Sequence, residues 1–159
     1  MHPISTSIDI EASASRVWAV LMDFPAYSDW SPFVRFLVGT TATGSQLQVI
    51  VQPEGGREMS FTPEVYACVP EQEFRWRGTV LMKWLFAGEY AFSLTESADH
   101  SCRFIHEESF SGVLVPLLMR GAMRAGTEAG FEAMNRALKA CAEHLTSNPS
   151  LNTRPARDA

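Results

Sequence analysis

Cysteine is scarce in this chain and poorly spaced for pairing. Cys68, Cys102 and Cys141 are odd in number and include no CxxC, which excludes a disulfide framework and a cysteine-built zinc site. Reduced thiols and a cytoplasmic location are the expectation. An excess of positive charge is absent too: 13 basic residues stand against 18 acidic ones, for a net charge of -5, and the Lys and Arg are scattered. Nucleic acid and anionic membrane surfaces are therefore not expected partners. No window approaches the ~18 consecutive apolar residues of a membrane span, so no transmembrane segment is expected. The opening MHPISTSIDIEAS also lacks a basic stretch leading into an apolar core.

Several catalytic signatures are missing as well. His2, His100, His106 and His144 fall in four separate contexts with no HxxxH or HxH spacing, so no metal is expected. There is no G-x-S-x-G elbow. The glycines of PEGGRE are not followed by Lys-Ser and open no helix, which argues against a phosphate loop. No cofactor is expected.

What is present is apolar content of 46% over 159 residues, enough for one core and too little for two. A single domain over 1–146 is expected. Residues 147–159, with Pro, Asn and Ser and almost nothing apolar, cannot offset their own ordering entropy and read as a loose tail. Ile4, Ile8 and Ile10 alternate with polar residues, which is the period of a half-buried strand. Ser13 or Ser15 then caps a helix through Phe24, in which Val17, Trp18, Leu21 and Phe24 recur at helical spacing until Pro25 stops it. AYSDWSPF reads as a second short helix or turn.

From Val34 to Gly112 the text changes to six strand-like runs divided by TTATGS, PEGGRE and the break at Pro70 to Gln72. Each has an apolar and a wet face, as in an antiparallel sheet. Val115 to Leu145 follows with Met119, Met123, Met134, Leu138, Cys141 and Leu145 at threes and fours, a long amphipathic helix that covers one sheet face. Pro116 suits its first turn. Gly121, Gly126 and Gly130 inside this helix each cost roughly 0.5–1 kcal/mol relative to Ala. Two explanations offer themselves: close approach of helix to sheet, or an internal void beside Met119 and Met123.

The run CRFIHEESFSG, Cys102 to Gly112, is the most informative. Side chains two apart on a strand point the same way, so Phe104, His106, Glu108 and Phe110 share the inward face, while Arg103, Glu107, Ser109 and Ser111 face water around Ile105. An ionisable pair between aromatics is costly without an answering group. Three readings stay open for His106 and Glu108: a mutual internal hydrogen bond, anchors for a ligand, or a general acid/base pair.

The order strand, helix, short helix, six strands, long helix resembles the helix-grip fold of the START-like (SRPBCC) superfamily, which includes polyketide cyclases, plant hormone receptors and the birch pollen allergen family. The stretch Ile10 to Val34 is similar to that family's opening, through Val17, Trp18, Leu21, Asp23, Tyr27, Trp30, Pro32 and Phe33. The run Phe104 to Leu118 is similar to a bacterial branch in which a strand passes straight into the long helix. The resemblance implies an α+β fold with a seven-stranded curved antiparallel sheet wrapped around a long C-terminal helix, and two short helices after the first strand. It also implies a pocket between the sheet's concave face and that helix.

The wall of such a pocket is expected from Phe61, Phe74, Trp76, Tyr90, Phe92, Phe104, His106, Glu108 and Phe110, with Met119, Met123 and Met134 closing it and Trp30 and Phe33 at its mouth. Taken alone, each of these residues fits a packed core better; taken together, apolar walls with a few placed polar groups favour a pocket. Trp84, Leu85 and Phe86 read either as a hairpin tip near an entrance or as a buried strand start. Fold does not dictate function. The expected function is binding of a hydrophobic small molecule, such as a lipid, polyketide or aromatic metabolite. The alternatives are a polyketide cyclase/aromatase-like enzyme using His106 and Glu108 as acid and base, and a regulatory protein that binds a partner.

Overall fold

In a computed structural model, which describes residues 3–80 and 84–147, the chain opens with strand β1, Ile4–Ile10, and helix α1, Ala14–Met22. Ile4 and Ile10 are buried and the serines between them face out, as the period-two pattern requires. Ser13 caps α1, its Oγ accepting from the Arg16 N–H at 3.3 Å. The helix ends at Met22 rather than Phe24, because Pro25 forces a 3-10 turn over Phe24–Ala26 before the short helix α2, Tyr27–Trp30.

Seven strands follow: β2 Val34–Val38, β3 Gln48–Val51, β4 Met59–Phe61, β5 Glu64–Val69, β6 Glu73–Val80, β7 Phe86–Glu96 and β8 Cys102–Ser111. The described residues thus hold eight strands, in a five-stranded sheet ordered β1-β8-β7-β6-β5 and a three-stranded sheet ordered β2-β3-β4, all antiparallel, instead of one sheet of seven. Pro63 explains the difference. It has no N–H to give a ladder, so the run from Met59 to Val69 breaks there and the chain passes from one sheet to the other. The seam is still stitched: Leu47 N–H donates to the Pro63 carbonyl at 2.8 Å and Val65 N–H to the Ser45 carbonyl at 2.9 Å. The curved helix-grip arrangement survives the division.

The C-terminal helix is divided as well. Helix α3 covers only Val115–Leu118, Met119 and Arg120 leave the helix, and α4 runs over Gly121–Ser147, packing mainly on β1 and α1. Its inner stripe buries Phe131, Met134, Leu138 and Ala142. Gly126 and Gly130 mark close approach, not a void, while Gly121 opens α4 at a positive φ of 51° with open space around it. A Cβ at Gly126 would lie 2.7 Å from the Glu54 carbonyl oxygen, and one at Gly130 would lie 2.3 Å from the Phe33 ring. Most of the segment expected to be a loose tail, residues 148–159, lies outside the described residues, as do Met82 and Lys83.

Candidate functional site

The void sits beside other glycines. Gly78 on β6 and Gly88 on β7 are cross-strand partners, flanked on the same inward face by the pair Trp76 and Tyr90. Two missing side chains side by side leave a low floor, covered in part by the Glu108 carboxyl over Gly88. Over it opens a cavity of about 290 Å³. Its walls are Trp76, Phe86, Tyr90, Glu108 and Phe110 from the large sheet, and Val49, Val51, Met59 and Phe61 from the small one. Phe33, Pro53 and Pro63 add from connecting segments, and Leu118, Met119, Met123 and Thr127 close it from α3, α4 and the link between them. The cavity therefore lies between two sheets and the helices, not between one sheet and one helix.

Of the residues expected on its wall, Phe33, Phe61, Trp76, Tyr90, Glu108, Phe110, Met119 and Met123 are there. Phe74, Phe92, Phe104, His106 and Met134 are not, because they are fully buried in the aromatic core behind it. Trp30 stands away from the cavity as well, its ring 5.0 Å from Tyr27. Phe86 reaches the wall at the start of β7, while Trp84 is 63% exposed. Sequence reasoning missed Gly78 and Gly88, since a strand glycine carries no periodic signal. It also missed Thr127, Phe131 and Asn135, which are spaced at i, i+4, i+8 on the same inner stripe as Met134 and Leu138, a signal that was available.

His106 and Glu108 do not pair with each other. His106 Nδ1 lies 3.0 Å from Asn135 Oδ1, its Nε2 is hydrogen-bonded to the Tyr90 hydroxyl, and its ring stacks on Phe131 at 3.7 Å between centroids. Asn135 Nδ2 donates to Thr6 Oγ1 at 2.9 Å, so its oxygen is the atom turned to the histidine. Burial pushes the imidazole down to about 3, with the Asn135 hydrogen bond acting weakly the other way. The ring is neutral, satisfied on both nitrogens, and reaches the cavity only through Tyr90.

Glu108 is placed differently. Its partner across the ladder is Tyr90, but its carboxyl leans over Gly88, where a Cβ would lie 3.0 Å from Oε1. It has no hydrogen bond among the described residues, and burial with no offsetting cation pushes it up to about 8. Half-buried on the wall, this side chain faces an apolar chamber that favours its protonated form. Among the described residues no group of three or more His, Cys, Asp or Glu gathers as metal ligands would. No described helix is long and apolar enough to cross a membrane.

The sequence profile of the family described as "Polyketide cyclase / dehydrase and lipid transport" matches residues 1–143. The chain belongs to that family. No curated protein matches it in sequence. Among solved structures it is similar in fold to the Zhui aromatase/cyclase from Streptomyces sp. R1128, with 16% identity, TM-score 0.73 and 99% of each chain covered. A START superfamily protein from Mycobacterium smegmatis shares the fold at 21% identity and TM-score 0.68, over 91% of this chain and 99% of that one. The di-domain ARO/CYC StfQ from the steffimycin biosynthetic pathway aligns at 14% identity and TM-score 0.64, over 91% of this chain and 52% of its own. The helix-grip architecture of this polyketide cyclase/dehydrase family member is thus held with little sequence in common.

Proposed function

We infer that this protein binds a hydrophobic small molecule in the cavity between its two sheets and helices α3 and α4. The observation that carries the reading is the cross-strand pair Gly78 and Gly88, which keeps open an almost wholly apolar chamber of about 290 Å³. A folded core does not leave such space without cost, since a cavity forfeits packing at its lining. The size lies at the small end of small-molecule sites, roughly 300–1,000 Å³, and suits one compact ligand. Native mass spectrometry of the purified protein and thermal shift against apolar and aromatic compounds test this directly. A retained ligand or a concentration-dependent rise in Tm is expected. No retained mass and no shift with any compound would overturn it.

One observation favours a second reading, catalysis of the cyclase or dehydrase kind: Glu108 lines the cavity with its carboxyl raised by apolar surroundings and bonded to no described group. In that reading Glu108 alone moves protons, because both His106 nitrogens are engaged inside the core. General acid–base catalysis contributes about 10²–10⁴-fold, so Glu108→Gln is expected to slow turnover of a poly-β-ketone substrate by that order. Full turnover in the variant sinks the reading.

A further inference from the structure

The polar inventory of the cavity wall is short, and most of it is spent. Thr127 Oγ1 donates to the Met123 carbonyl at 2.9 Å and the Tyr90 hydroxyl is engaged by His106. Glu108 is the one carboxyl on the wall, and among the described residues no Lys, Arg or His lines it. A ligand carboxylate or phosphate would enter an apolar chamber with no described cation to meet it, which disfavours its burial. A pure hydrocarbon would leave the Glu108 carboxyl unpaired. Both extremes of lipid chemistry fit poorly.

The apolar part of the wall is aromatic on one side. Trp76 and Tyr90 stack with centroids 4.5 Å apart and planes at 11°, and Phe86 and Phe110 lie together beyond them at 5.7 Å. The Glu108 carboxyl stands at the edge of this surface, over Gly88. Building on the hydrophobic-ligand reading above, we propose that the cavity selects a compact, uncharged, aromatic molecule bearing a carbonyl oxygen, which accepts a hydrogen bond donated by the Glu108 carboxyl. Carboxylate- and phosphate-bearing lipids are rejected. Glu108 stands on the cavity wall with no partner among the described residues, and the apolar surroundings that raise its carboxyl favour the donor form.

The test uses four probes with one skeleton, titrated calorimetrically into the full chain at pH 7: 2-acetylnaphthalene, 2-ethylnaphthalene, 2-naphthoate and 1-(2-naphthyl)ethylamine. The ketone is expected to bind about tenfold or more tighter than the hydrocarbon and the carboxylate. Glu108→Gln, whose amide still donates, is expected to keep that preference within about threefold, and Glu108→Met to abolish it. Equal binding of ketone and hydrocarbon overturns the proposal and leaves the apolar-cavity reading standing. Tightest binding by the amine or the carboxylate, or an undiminished ketone preference in Glu108→Met, also overturns it. Binding of none of the four removes the cavity reading and the proposal together.

Discussion

Asn135 holds His106 in a single tautomer. With its Nδ2 given to Thr6, Asn135 offers only Oδ1 to the ring at 3.0 Å, so Nδ1 carries the proton and Nε2 accepts from the Tyr90 hydroxyl. Nitrogen-detected NMR is expected to show a neutral, Nδ1-protonated ring down to about pH 3. Titration near the ordinary value of 6.5 would contradict this. The linkage has a definite sign: the unfolded histidine takes a proton near 6.5 while the folded one does not, so the stability held by the neutral ring is full above that pH and is lost as pH falls from about 6.5 toward 3. Asn135→Leu leaves the ring N–H and Thr6 without their partner, and a loss of about 1–3 kcal/mol in chemical denaturation is expected.

Glu108 acts in the opposite direction. Its folded value near 8 exceeds the unfolded 4.5, so the folded state holds the extra proton and stability declines as pH rises from about 4.5 to 8. Glu108→Gln removes that penalty. The variant is expected to match the wild type near pH 4.5 and to exceed its Tm at pH 8 by roughly 3–8 °C, as a gain of about 2 kcal/mol gives in a chain of this size. An equal Tm difference at both pH values would refute the assignment.

Gly78→Leu provides a plug. A Cβ there meets only the Pro63 side chain, at 3.7 Å, and the rest of the side chain has the cavity to enter. The variant is expected to keep the wild-type fold by circular dichroism, and to lose apolar-probe affinity by about tenfold or more through occupied volume. Undiminished binding would place the ligand elsewhere.

Gly130→Ala is expected to destabilise in spite of Ala's helix propensity. The new methyl would meet the buried Phe33 ring at 2.3 Å, and overpacking of about 1–3 kcal/mol outweighs a helix gain of about 0.5–1 kcal/mol. Urea denaturation reads the sign. A stabilised variant would mean that Phe33 gives way freely.

The elements and their inward faces were legible because strand and helix periods are local: Ile4 to Ile10, Phe74 with Trp76, and Tyr90 with Phe92 and Leu94 all bury as their alternation requires. The division at Pro63 was harder to read. A proline in a strand run signals a break but not where the chain goes next, and that depends on Ser45 and Leu47 meeting it from elsewhere. The inward orientation of His106 and Glu108 was legible, but their partners were not. Asn135 and Tyr90 reach His106 from a helix and a neighbouring strand, and Glu108 turns toward Gly88, an absence of side chain that no pattern announces. Of the two explanations open for the helix glycines, close approach holds at Gly126 and Gly130, and the chamber is instead floored by the strand glycines Gly78 and Gly88.

Among the described residues strand β1 pairs only with β8, Ile4 lying opposite Glu108 and Ile10 opposite Cys102. During synthesis at roughly 5–20 residues per second, the first strand waits about 5–20 s for its partner to be made. Ile4, Ile8 and Ile10 stay unpaired throughout that interval, and the loop to be closed spans nearly the whole domain. Folding of this domain therefore waits until β8 has been made, and β1 is the strand that needs shelter on the ribosome until then.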